Sequence, residues 1–134
     1  MIQRIQSVWL LLSSISSTLC FFLPFAYSAS DNKLVGLTSQ SHWYLFLITL
    51  LVGLASLIAI FLYHDRRLQK KVTLSSAITQ GLLLIIFTFQ TMDFPKVGPS
   101  LFCVIHFGIL FFLLMALKGI KKDIQTVSES ERLR

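Results

Sequence analysis

Trp43-Tyr44-Leu45-Phe46-Leu47-Ile48-Thr49-Leu50-Leu51-Val52-Gly53-Leu54-Ala55-Ser56-Leu57-Ile58-Ala59-Ile60-Phe61-Leu62-Tyr63 is the stretch that decides the fold. It contains no Asp, Glu, Lys or Arg. A helix of about 20 such residues, rising 1.5 Å per residue, crosses a hydrocarbon core of about 30 Å. Trp43, Tyr44 and Tyr63 mark its ends, where amphipathic rings prefer the membrane–water interface. Backbone N–H and C=O groups in lipid must pair within their own segment, so the stretch is expected to be a helix.

Working outward, residues 5–30, 34–64, 72–92 and 97–117 are four charge-free gaps, each long enough to span. Composition agrees. Hydrophobic residues make up 54% of the chain and charged residues 13%, against about 25% charged in an ordinary soluble domain. A chain of 134 residues cannot bury so much apolar surface in its own core. The gaps lack the alternation of a transmembrane β-barrel. The expected fold class is therefore an all-α membrane protein: one domain, a four-transmembrane-helix bundle with helices at about 5–27, 43–63, 72–92 and 99–117, and a short polar tail over 118–134. A polar loop over 28–41 and a turn with Pro95, Gly98 and Pro99 separate the outer pairs of helices.

Lys and Arg set the orientation. With both termini inside, Arg4, Arg66, Arg67, Lys70, Lys71, Lys118, Lys121, Lys122, Arg132 and Arg134 are cytoplasmic, and only Lys33 and Lys96 are outside. The opposite topology reverses that ratio. Arg4, the apolar stretch after it and Ala26-Tyr27-Ser28-Ala29-Ser30 could instead be a cleaved secretory signal, but the stretch is longer than the usual apolar core of a signal. Two cysteines and no eukaryotic sorting motif point to a bacterial inner membrane.

Small and hydroxyl-bearing residues favour helix contacts in lipid. Candidate stripes are Ser7, Ser14 and Thr18 in the first helix and Thr49, Gly53 and Ser56 in the second; the third offers Thr73, Ala77, Gln80, Thr88 and Thr91. His106 is the ionisable side chain clearly inside a span, and such a residue is a functional candidate by default. Its expected role is a hydrogen bond inside the bundle, to Gln80 or Gln90; a proton relay with Asp93 is the sharper alternative. Cys20, Cys103 and His106 could be drawn together as metal ligands, but a fourth ligand and a recognisable motif are lacking. His42 and His106 could be drawn as axial haem ligands, with His42 at the interface. No catalytic residue, cofactor or metal is expected, since no phosphate loop, nucleophile elbow or His-Glu-x-x-His stretch occurs.

The cytoplasmic face is richer. Arg66, Arg67, Lys70, Lys71, Lys118, Lys121, Lys122 and Arg132 form a basic collar that suits anionic lipid headgroups or a partner protein. Asp65, Gln69, Asp123 and Glu131 accompany them at defined places, which favours directed protein docking. Ile120, Ile124, Val127 and Leu133 give the tail an apolar side, suiting a short helix along the membrane or a partner. Nucleic acid is not an expected partner, because the net charge of +6 follows from the inside bias.

Met1-Ile2-Gln3-Arg4-Ile5-Gln6, Asp65-Arg66-Arg67-Leu68-Gln69, Lys121-Lys122-Asp123 and Glu131-Arg132-Leu133-Arg134 resemble the bacterial DUF4293 family. The family tail reads basic-basic-Asp-Glu and ends acidic-Arg-Leu-Arg; Ile124 stands here for the Glu, and Ser128 for a basic residue. The resemblance implies four spans in a bacterial inner membrane and supplies no activity. The expected function is a non-enzymatic accessory or scaffold subunit of a larger inner-membrane complex, docking other membrane-protein subunits through the collar. The alternative is a transporter or channel component using His106, Gln80 and Gln90.

Overall fold

The structure, a computed structural model, describes residues 2–30, 33–92 and 97–132. Four helices and three short strands follow in the order α1 (Ile2–Leu19), β1 (Ala26–Ser30), β2 (Lys33–Leu37), α2 (Trp43–Phe61), α3 (Arg66–Met92), β3 (Val97–Pro99) and α4 (Cys103–Arg132). A 3₁₀ turn over Leu62–His64 joins α2 to α3. Each helix packs on its two neighbours in the ring α1–α2–α3–α4.

Hydroxyl-bearing and amide side chains share the interior of this ring with apolar ones, while the exterior is apolar. Ser13, Ser14, Ser17, Thr49, Ser56, Thr73, Ser76, Gln80 and His106 are buried, whereas Ile5, Val8, Leu11, Ile15 and Leu19 lie about half exposed along the outside of α1. Leu47, Leu51, Leu54 and Ile58 do the same on α2. A continuous apolar exterior of this kind is untenable in water. It suits lipid, where small and hydroxyl residues hold helices together. Three helical stretches, Trp43–His64, Arg66–Met92 and Cys103–Glu129, are long and apolar enough to cross a membrane; the apolar part of α1, Ile5–Leu19, is shorter.

Helix α1 stops well before the expected residue 27. Cys20 N–H still donates to the Ser16 carbonyl, but Phe21 and Phe22 tighten onto Thr18 and Leu19. Pro24 follows, lacking an N–H and disfavouring helical backbone in the residue before it. The stretch expected as a loop over 28–41 begins instead with a hairpin. β1 pairs antiparallel with β2, Ala26 opposite Leu37 and Ser30 opposite Lys33. On its other edge β1 pairs with β3, Ala26 opposite Pro99 and Ser28 opposite Val97, giving the order β2-β1-β3. Pro99 thus ends a strand and does not open α4. Proline suits this edge position, where its missing N–H costs no ladder bond. Ser100 N–H donates to the Phe25 carbonyl, and Ser100 Oγ accepts from Phe102 N–H as α4 begins.

The sheet ties the α1–α2 and α3–α4 connections together at one end of the bundle. The other end is the tight α2–α3 corner. There Asp65 Oδ1 accepts from the N–H groups of Arg67 and Leu68 at 3.1 and 3.2 Å, capping orphan donors of the first turn. Helix α3 therefore starts at Arg66 and not at residue 72. Gln69 Nε2 donates to the Ala59 carbonyl at 2.9 Å, an acceptor in the last turn of α2 that has no partner in its own helix. Helix α4 does not stop at residue 117: it continues unbroken to Arg132, so the expected tail is an extension of the last helix.

Ser14 of α1 and Thr73, Ala77 and Gln80 of α3 are buried as expected, and one member of each of these two stripes is displaced by a residue. On α1, Ser17 takes the place of Thr18: its hydroxyl donates to the Thr49 carbonyl at 3.0 Å, while exposed Thr18 bonds back to Ser14. Ser14 donates to the Gly53 carbonyl at 3.4 Å. On α3, Phe87 is the inward residue and Thr88 points outward. Thr49, Gly53 and Ser56 of α2 do meet α1 or the interior as their spacing suggests.

Candidate functional site

Two constellations stand out, one within the bundle and one at its basic end. Inside, the inward stripe of α3 through Thr73, Ser76, Gln80, Leu83 and Phe87 faces the inward stripe of α4 through His106, Ile109, Leu113 and Ala116. This spacing, every three or four residues, carries Gln80 and His106 to the same depth. Gln80 Nε2 donates to the His106 carbonyl at 3.1 Å and lies 3.5 Å from its Nδ1. Phe87 lies 5.1 Å from the imidazole between ring centres, and Phe25 lies 5.5 Å away edge-on. The two phenyl rings stack on each other at 4.6 Å. The pair is thus enclosed, and the Gln80 amide has a partner within the bundle.

Gln90 is not part of this pair. Its amide bonds the Tyr44 hydroxyl, fastening α3 to α2 nearer the sheet end. Cys20 and Cys103 are free and join different apolar clusters, Cys20 beside Leu10 and Val52, and Cys103 beside Phe87 and Leu45. Among the described residues no group of three His, Cys, Asp or Glu is placed to hold a metal. His42 is exposed at the start of α2 and stacks on Tyr44 at 5.3 Å. Asp93, named above as a relay partner for His106, lies outside the described residues.

At the basic end, Arg67, Lys70, Lys71, Lys118, Lys121 and Lys122 are exposed, and Arg66 is half-buried. The side chain of Arg132 lies outside the described residues. Three of the residues that accompany the basic ones have internal partners. Asp65 caps α3, Gln69 binds Ala59, and Asp123 pairs with the Arg66 guanidinium at 3.3 Å. That ion pair holds the extension of α4 against the start of α3. Between the α2–α3 corner and this extension runs a groove of about 500 Å³. His64, Asp65, Arg66 and Arg67 form one wall, and Ile124, Val127 and Ser128 the other. Ile124 and Val127 were legible as apolar tail residues. His64 and Ser128 were not singled out; the helical spacing of Ile124 and Ser128 would have placed Ser128 beside the others.

The arrangement can bind, but it offers no paired nucleophile and base among the described residues. Neither a curated protein nor a solved structure matches the chain. A family model does: that of a domain of unknown function, DUF4293, matches residues 2–133. The match takes in both the buried Gln80–His106 pair and the basic end, and the chain belongs to the DUF4293 family.

Proposed function

We propose that this chain is an accessory subunit of a larger assembly in a bacterial inner membrane. In this reading all four helices cross the bilayer and both termini are cytoplasmic. Helix α1 rises about 27 Å over its 18 residues, and its outer stripe from Ile5 to Leu19 is as exposed and apolar as those of its neighbours. The asymmetry of Lys and Arg puts the sheet outside and the α2–α3 corner inside.

The observation that carries the docking reading is the groove beside Arg67. Its apolar wall, Ile124 and Val127, stands on a helix held in place by the Arg66–Asp123 pair. Exposed Arg67, with Lys70 and Lys71 close by in sequence, and Lys121, three residues before Ile124, give the surroundings a positive character. The fitting partner is an acidic segment with one or two apolar side chains on the cytoplasmic part of another membrane protein. Electrostatic complementarity of this kind supplies specificity and rate. A transporter or channel is the weaker reading, since Gln80 and His106 bond each other behind two phenyl rings.

The test is purification of the tagged full chain in mild detergent, with a stoichiometric companion identified by mass spectrometry. Arg67→Glu combined with Val127→Asp is expected to lose that companion while the protein inserts normally. Arg66 is left alone because its charge is engaged within the chain. An unchanged companion in the double variant would overturn the docking role.

A further inference from the structure

Helices α1 and α4 close on each other around Gly119. A Cβ at that position would lie 2.8 Å from Gln6 Cγ, so only glycine lets the Gln6 chain lie flat on α4. Gln6 is 3% exposed, and its amide nitrogen has no hydrogen-bond partner. An unpartnered buried amide is costly. It lines a cleft of about 220 Å³ with Trp9 and Met115 at its floor and the exposed side chains of Ile5, Lys118 and Lys122 around it.

The two lysines sit one helical turn apart on one face, where like charges repel. The Arg66–Asp123 pair is the one ion pair among the described residues, so neither lysine is neutralised there. Two exposed cations and an unmatched amide around one cleft call for an anion with several acceptor oxygens. The floor specifies more. Trp9 stacks on Phe112 at 5.8 Å, and the exposed side chains of Val8, Leu11, Phe111 and Leu114 continue the apolar surface along α1 and α4. An isolated phosphate has no use for that surface; a phospholipid has.

We propose that this cleft holds the headgroup of one anionic phospholipid, its phosphate between Lys118 and Lys122 and its acyl chains along the α1–α4 seam. The Gln6 carboxamide turns its N–H₂ toward the phosphate oxygens. The site rests on the membrane reading above but not on the partner groove, which uses Arg67 of α3 together with Ile124 and Val127 on the opposite face of α4.

The test uses the full chain in nanodiscs of phosphatidylcholine containing phosphatidylglycerol, with bound lipid counted by native mass spectrometry after release. Wild type is expected to keep one phosphatidylglycerol. Lys118→Gln with Lys122→Gln is expected to weaken its retention about thirtyfold, which is about 1 kcal/mol for each lysine at tenfold per 1.4 kcal/mol. Gln6→Leu is expected to weaken it less. Lys70→Gln with Lys71→Gln removes the same charge elsewhere at the basic end and is expected to keep the lipid. Equal loss in both lysine pairs would reduce the effect to general surface charge and overturn the site. Displacement of the lipid by inorganic phosphate would overturn it in favour of a free anion. Copurification of the partner with the Lys118/Lys122 variant keeps this outcome separate from any failure of the docking groove.

Discussion

The guanidinium of Arg66 lies 3.3 Å from the carboxylate of Asp123, joining the first residue of α3 to α4 beyond its last uncharged stretch. The side chains are 30% and 15% exposed. Solvent and salt screen such a pair, so it is worth at most about 1 kcal/mol. Its effect is local: it holds the extension of α4 upright beside the α2–α3 corner. Asp123→Asn keeps the shape and removes the charge. Hydrogen exchange is expected to quicken over residues 124–129 while the apolar part of α4 stays protected. Unchanged exchange in those residues would show that the extension stands without the pair.

Asp65 supplies a second, separable prediction. Its carboxylate accepts two backbone N–H groups of the first turn of α3. Loss of such a cap costs about 1 kcal/mol, and Asn replaces Asp with little loss. Thermal unfolding in detergent is therefore expected to rank wild type and Asp65→Asn together, above Asp65→Ala. Were Asp65 a docking residue only, Asp65→Ala would melt as wild type does.

Gly53 tests the packing of α1 on α2. A Cβ there would meet Ser17 Oγ at 3.2 Å, closer than ordinary contact. Gly53→Leu is expected to force the helices apart at a cost of about 1–3 kcal/mol. Leu51 is 57% exposed on the outer face, and Leu51→Ile is expected to be nearly neutral. Equal melting losses for the two would place the α1–α2 contact elsewhere.

Much of the bundle was legible because lipid imposes a simple rule on sequence. Long uncharged segments became helices, and Gln80 on the facing helix meets His106, donating to its backbone carbonyl and lying 3.5 Å from its Nδ1. The sheet was not legible. β1 and β2 are short, and β3 is three residues around Gly98 and Pro99, composition that reads as a turn. The pairing of β1 with β3 joins residues about seventy positions apart in the chain, which no local pattern records. The internal partners of Asp65, Gln69 and Asp123 were not legible for a related reason. Mixed charge near a membrane surface suits a partner protein, a helix cap or an internal ion pair equally well. Only the three-dimensional neighbours of each side chain decide between them. Gln6 escaped notice because its meaning depends on Gly119, in a different helix.

The central claim is a four-span bundle with the sheet outside and the α2–α3 corner inside, and α1 is the helix on which it turns. The most direct measurement is a set of reporter fusions near Asn32, after Lys71 and after Arg134, each scored for the side of the inner membrane on which the reporter is active. The ten Lys and Arg assigned inside against two outside lead to an external reading near Asn32 and cytoplasmic readings at the other two sites. A cytoplasmic reading near Asn32, or an external one after Lys71, would contradict the topology and the placement of both proposed sites with it.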